Sequence, residues 1–338
     1  LDYLAGALKD TDIPFKPDPI KFSNFYNSRL NVIVDYYSNY NIPENRPENG
    51  VTRYSDPSRT NVVGQFLQRP VSTTGKAVRM VIGKDIGSVE GTDALGGDNT
   101  KCAIRTGSAW DTDTKLRIDV GPQGKILGGG GKGGTGHAVE DQNDTKFPEG
   151  KGRDGTSALG IEYEGTDNTT VNVVAGGMIR GGFGGGGGGG CAHNVEYGFW
   201  SSDEYIAVGG GGGGGAGLPF GSGGDGGNRG DGYGCGGSWS CTGEDGDDGT
   251  TNGAGEGGEG VTTPIGSNGG VGGDGGSPGE VADHGIAAVA AGGYDTREAS
   301  LGGGGGADGA AIRRTAGLTL TITNNGTITG DQTATVVA

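Results

Sequence analysis

Three stretches decide the fold: Ile118–Gly128 (IDVGPQGKILG), Val171–Gly181 (VNVVAGGMIRG) and Leu320–Gly330 (LTITNNGTITG). They align without gaps. Each opens with two apolar residues two apart, has glycine six residues after the first of them, then isoleucine, then glycine. Alternation with a period of two marks a strand with one buried face. The fixed glycine (Gly124, Gly177, Gly326) suits a turn position that needs a positive φ. Each copy therefore reads as a β-arch or hairpin: strand, tight turn, short isoleucine strand, glycine exit. A short apolar pair precedes each copy, at Ala103-Ile104, Ala158-Leu159 and Ala311-Ile312. Units of this size cannot bury their apolar edges alone, so they are expected to stack on one another.

The copies begin 53 and 149 residues apart, so the second interval holds an insertion. That insertion is rich in glycine. Of 82 glycines in 338 residues, ten precede residue 121, leaving 72 in the last 218. Unbroken runs occur at 184–190, 209–215 and 302–306, with 128–131 ahead of them. Such runs are either flexible linkers or extended three-residue-per-turn helices of the polyproline-II type. Ordering glycine is costly in entropy, so ordered runs need many hydrogen bonds to one another. Runs of similar length suit a bundle better than linkers, and a β-solenoid with glycine turns is the third option. Residues 1–85 look more conventional: Leu30–Tyr37 and Lys76–Lys84 read as strands between prolines. No stretch carries the apolar period of a long helix. The expected fold is mostly β: a short-strand scaffold of strand-turn-strand motifs plus a polyglycine-II-type bundle. Its divisions are 1–85 for attachment, 86–180 for the scaffold, 181–310 for the glycine-rich domain, and 311–338 returning to the scaffold.

The net charge of −16 opposes nucleic acid as a partner and opposes attachment to anionic lipid. No apolar run is long enough to span a membrane, no signal peptide is visible, and the chain opens on Leu1 rather than Met. Enzyme motifs fail. Neither a zinc-protease pattern nor a nucleophile elbow is present, and Gly133 follows Lys132 where a phosphate loop needs Ser or Thr. No catalytic residue, cofactor or metal is expected. Cys191, His193, Cys235 and Cys241 include zinc-binding types, but Cys191-x-His193 is too tightly spaced. Glu244, Asp245, Asp247 and Asp248 read as a solvated acidic loop sooner than a calcium site, because the spaced cation loop is missing. Arg229-Gly230-Asp231 and the Asn-x-Thr triplets at 143, 168 and 325 read as coincidence. Cys235 and Cys241 flank five residues, and a disulfide there would present Trp239.

Three features resemble phage tail proteins. Ile20–Tyr26 (IKFSNFY) resembles an I-x-F-S-D-F-Y signature near the start of tail-tip and tail-fibre proteins, with Asn24 in place of Asp. The Asn325–Gly330 repeat is of a type frequent in fibre and baseplate proteins. The alternation of glycine runs and variable loops is similar to the tip adhesins of T-even-like long tail fibres. In that family a polyglycine-II sandwich carries receptor-binding loops. The resemblance implies a virion tail adhesin, extracellular, that joins other tail or baseplate proteins through its N-terminal segment and binds a bacterial surface receptor. A homotrimer is implied too, since fibre bases are often trimeric. Tyr and Trp give large contact area at low entropy cost. Trp200, Tyr205, Tyr233 and Trp239, set among polar residues and glycine, are the receptor-contact candidates, and packing at the ends of the bundle is their other reading. Two rival functions are a structural baseplate or tail-tip component and an ice-binding polyglycine-II protein. The second rival wants a flat Thr/Ala face where these loops are acidic and aromatic.

Overall fold

The computed structural model describes residues 32–36, 40–41, 47–48, 51–52, 77–83, 85–88, 99–106, 115–138, 150–163, 169–197, 202–227, 242–292, 295–335 and 337. The N-terminal strands are β1 (Val32–Tyr36), β2 (Tyr40–Asn41), β3 (Pro47–Glu48) and β4 (Val51–Thr52). Then come β5 (Ala77–Ile82), β6 (Asp85–Gly87), β7 (Cys102–Arg105), β8 (Lys115–Val120), β9 (Lys125–Leu127), β10 (Ser157–Ile161), β11 (Thr169–Val173) and β12 (Met178–Arg180). The glycine-rich stretch holds β13 (Ala192–Tyr197), β14 (Ser202–Ala207) and β15 (Asp295–Ala299). The chain closes with β16 (Ile312–Arg314), β17 (Leu320–Asn324), β18 (Thr327–Thr329) and β19 (Ala334–Thr335). No helix occurs among the described residues.

Three parallel sheets run in the orders β1-β5-β8-β11-β17, β18-β12-β9-β6-β2 and β19-β16-β10-β7. Successive passes of the chain add one strand to each sheet, which is a three-sided β-solenoid. Stacking in register puts like residues over like. Ile86, Ile126, Ile179 and Ile328 form one ladder. Ile104, Leu159 and Ile312 form another. Ile118, Val171 and Ile322 form a third. Ile118, Ile126, Leu159, Val171 and Ile179 are fully buried, and each such side chain contributes roughly 1.5–3 kcal/mol relative to exposure. The apolar pairs at 103–104, 158–159 and 311–312 thus supply the third wall, and the repeat supplies the other two.

Of the two readings, arch and hairpin, the repeat is an arch, because its two strands join different sheets. One expectation is corrected: the fixed glycines do not hold a positive φ. That conformation falls one residue earlier in the second copy, at Gly176 (φ 89°). Gly177 closes the turn by donating to the Val174 carbonyl at 2.9 Å. Its lack of a side chain serves a close approach: a Cβ on Gly177 would lie 2.7 Å from the Val120 oxygen and 2.9 Å from the Gly121 oxygen. The turn of one coil rests directly on the backbone of the coil before it.

From β9 and β12 the chain leaves the solenoid as glycine runs. The run 182–190 touches six others through backbone hydrogen bonds. Gly182, Gly185 and Gly188 donate to Thr156, Arg153 and Gly150; Phe183, Gly186 and Gly189 donate to Ala216, Gly213 and Gly210. Gly187 and Gly190 donate to Asp283 and Ile286. In return the run accepts from 131–137, from 270–276 and from 303–309, again at every third residue. The run 209–215 is likewise surrounded, bonding to 131–137, 183–189, 221–227, 244–250, 255–258 and 270–276. All these runs are ordered by bonds between distant parts of the chain, so they are not linkers.

Runs at the rim need glycine only where they face a neighbour. In 221–227 the exposed positions are Ser222 and Asp225, and in 255–260 they are Glu256 and Glu259. Rim carboxylates also accept backbone N–H groups from the runs beside them. Asp245 accepts from Gly226 (2.7 Å), Asp248 from Gly223 (2.9 Å), Asp274 from Gly257 (2.9 Å) and Asp154 from Ala307 (2.8 Å). The acidic segment 244–248 is therefore a hydrogen-bonding edge of these runs, its aspartates spaced by three residues to match the run beside it.

Candidate functional site: the far end of the glycine runs

The direction of each run fixes which loops share an end. The runs 128–137 and 181–190 start at the solenoid; 150–156 and 300–311 end there. The other runs alternate in direction between them. One end therefore gathers the run ends at 138, 150, 227 and 242 with β13, β14, β15 and the turn 262–268. The solenoid end holds the turns 218–220, 251–254 and 277–281, where Arg180 donates to Asn252 Oδ1 (3.1 Å) and to the Thr251 carbonyl.

At the far end, β13 pairs antiparallel with β14 and with β15, with a bulge at His193/Asn194. A buried polar network fixes this sheet to the runs beneath it. His137 Nδ1 lies 3.2 Å from Ser300 Oγ. Ser300 Oγ accepts from the Cys191 N–H at 2.8 Å. Asn194, fully buried, accepts at Oδ1 from Ser267 Oγ at 2.9 Å, and Ser267 Oγ also accepts from the Ala291 N–H at 3.2 Å. Ser267 itself sits in a tight turn, its N–H bonding to Thr263 Oγ1 at 3.1 Å. Three separate connections are thus pinned to one another by side chains with no exposure to spare. Burial pushes the His137 imidazole below its ordinary pKa, so it is held neutral.

Of the receptor-contact candidates, Tyr205 lies on β14, half-buried, in register with Asn194. Trp200, Tyr233 and Trp239 lie outside the described residues, as do Cys235, Cys241, Arg229–Asp231 and Ile20–Tyr26. Their flanking residues do locate them along the chain. Trp200 belongs to the connection from β13 to β14. Tyr233 and Trp239 belong to the connection from Gly227 to Thr242, and Gly243 donates to the Gly227 carbonyl at 2.9 Å. Phe220 sits at the opposite end, in the turn after Pro219, and is about half exposed (47%). Cys191 is a buried cysteine whose Sγ accepts from Ser300 Oγ at 3.5 Å. Among the described residues no three His, Cys, Asp or Glu side chains come together as a metal site, and no helix is long and apolar enough to cross a membrane.

The polar network was not foreseen from the sequence. A signal for it existed. His137 and Cys191 each directly follow a glycine, and Ser300 stands two residues before the run 302–306, where the first side chains beyond the runs meet the sheet.

No protein-family model matches the chain. No curated protein matches it either. Among solved structures, the chain is similar to the gp37–gp38 adhesin tip complex of the bacteriophage S16 long tail fiber, with 18% identity over 98% of this chain and 91% of that one, at a TM-score of 0.39.

Proposed function

We propose that this chain is a virion tail adhesin that binds a host-surface receptor through the loops at the far end of its glycine runs, and that it catalyses no reaction. The observation that carries this reading is the convergence of β13, β14, β15 and the turn 262–268 on one end of the hydrogen-bonded runs. A hydrogen bond at every third residue, with up to six neighbours per run, is the pattern of side-by-side helices with three residues per turn. We read the runs as a polyglycine-II-type bundle on that basis. Such a bundle is stiff and has almost no side chains to spare, so sequence variety is confined to its ends and rim. Binding loops on a rigid scaffold are a common arrangement for recognition.

In this reading residues 1–85, whose strands β1, β2 and β5 already belong to the solenoid sheets, join the tail; 86–180 and 311–338 form the scaffold apart from the runs 128–137 and 150–156, which with 181–310 project the loops. The location is the virion, outside the host cell. Several copies per particle would turn weak loop contacts into firm attachment.

A fluorescently labelled full chain added to whole bacterial cells tests this. Saturable binding, lost in a Trp200→Ala/Tyr205→Ala/Trp239→Ala variant of unchanged thermal stability, is the expected result. No binding to any strain that supports infection would leave a structural tail component as the better reading.

A further inference from the structure

The last described coil of the solenoid differs from those before it. β17, β18 and β19 stand at the ends of the three sheet orders, so among the described residues nothing pairs with their outer edges. The inward ladder positions show the same opening. Val171 and Ile179 are fully buried in the coil before, whereas Ile322 and Ile328 above them are only partly buried, as are Leu318 and Leu320. Natural proteins blunt such edges with charge, proline or a cap. Residues 315–330 (TAGLTLTITNNGTITG) contain no charged residue and no proline, in a chain of net charge −16.

We infer that this end of the solenoid is a self-association face, on which two copies of the chain stack end to end about a two-fold axis, β17 against β17. The inference does not depend on the adhesin reading. Charge selects the occupant. Two copies at −16 each repel wherever their acidic rims meet, and the uncharged stretch 315–330 is where they can approach with least of that cost. Geometry selects the pairing. A two-fold axis makes the facing strands antiparallel and the interface self-complementary. With Ile322 on the axis, Thr321 of one copy lies opposite Thr323 of the other, both exposed and pointing away from the core. The added strands would satisfy the open backbone groups and cover Leu320, Ile322 and Ile328. The result is a pair, in place of the trimer that the tail-fibre resemblance implies.

Sedimentation of the purified full chain across about a hundredfold range of concentration tests it. Two variants accompany the wild type, both altered only at exposed positions and checked for unchanged melting. Wild type should sediment at twice its 33.6 kDa. Thr321→Lys/Thr323→Lys sets lysine against lysine and should weaken the pair at least about tenfold. Thr321→Lys/Thr323→Glu sets lysine against glutamate across the axis and should restore it. A wild type that stays monomeric throughout overturns the inference. That result would mean the edge is bare or is covered by another segment of the same chain or another protein. A dimer indifferent to the double lysine variant overturns it equally.

Discussion

Replacing Gly186 by alanine separates packing from flexibility. In an open extended segment, Gly→Ala stabilises by about 0.4–1 kcal/mol, because the unfolded chain loses freedom. At Gly186 the added Cβ would stand 2.5 Å from the Gly273 carbonyl carbon and 2.7 Å from the Asp274 oxygen, with the Gly273 oxygen nearer still. To relieve this, the run 270–276 must recede by roughly 1 Å. Its bonds to the central run are Gly270 to Gly190 (2.8 Å), Gly273 to Gly187 (2.7 Å) and Gly276 to Gly184 (2.8 Å). A retreat of that size takes all three beyond hydrogen-bond range. At about 1 kcal/mol for each bond, plus about 1–3 kcal/mol for overpacking, the loss is about 4–6 kcal/mol. At about 2–4 °C per kcal/mol for chains of this general size, calorimetry should show melting lowered by about 8–24 °C. Gly292 is the control, since a Cβ there meets nothing within 4 Å; Gly292→Ala should melt at or slightly above wild type. If Gly186→Ala melts with Gly292→Ala, the runs do not pack as described and the argument fails.

Three further outcomes are expected. Ile179→Ala, in a fully buried ladder position, should cost about 2–5 kcal/mol in urea unfolding, and a loss below 1 kcal/mol would mean the solenoid core is not continuous there. Asp245→Ala removes the acceptor of the Gly226 N–H and should lower stability by about 0.5–1.5 kcal/mol. Asp245→Asn keeps an acceptor and should cost less, so equal losses would assign the effect to charge. Burial holds His137 below its ordinary pKa of about 6.5. The unfolded chain then takes up the proton first, so stability present above about pH 6.5 is lost as the pH falls below it. Urea midpoints at pH 7.5 and 5.5 should differ in wild type and differ less in His137→Gln.

The solenoid was legible because its signal is local. An isoleucine two residues after a glycine, repeated without gaps, fixes a ladder whatever lies between the copies. The coil of β5, β6 and β7 escaped the same search because its arch is shorter. Ile82 and Ile86 are four residues apart where Val120 and Ile126 are six, so no gapless alignment finds it. Hydrogen-bonded glycine runs were expected from their lengths, but which run neighbours which is absent from a string of identical residues. The role of Gly124 and Gly177 was misjudged for a related reason. Positive φ is a property of one residue's own backbone, while a close approach depends on a coil some fifty residues away. The network of His137, Cys191, Asn194, Ser267 and Ser300 is non-local throughout, assembled only once the runs are aligned.

The excursion from Gly181 to Ala311 departs from β12 and returns to β16, strands of a single coil. Its two ends meet: a Cβ on Gly181 would lie 3.1 Å from the Ala310 carbonyl carbon. Closing so long a loop costs little more than closing a short one. Everything between those ends can consequently vary in number of runs and in loops, provided that the runs laid against 131–137 and 150–156 keep their hydrogen bonds to them. Recombination within the excursion can then replace its outer runs and their loops while the ladders stay intact.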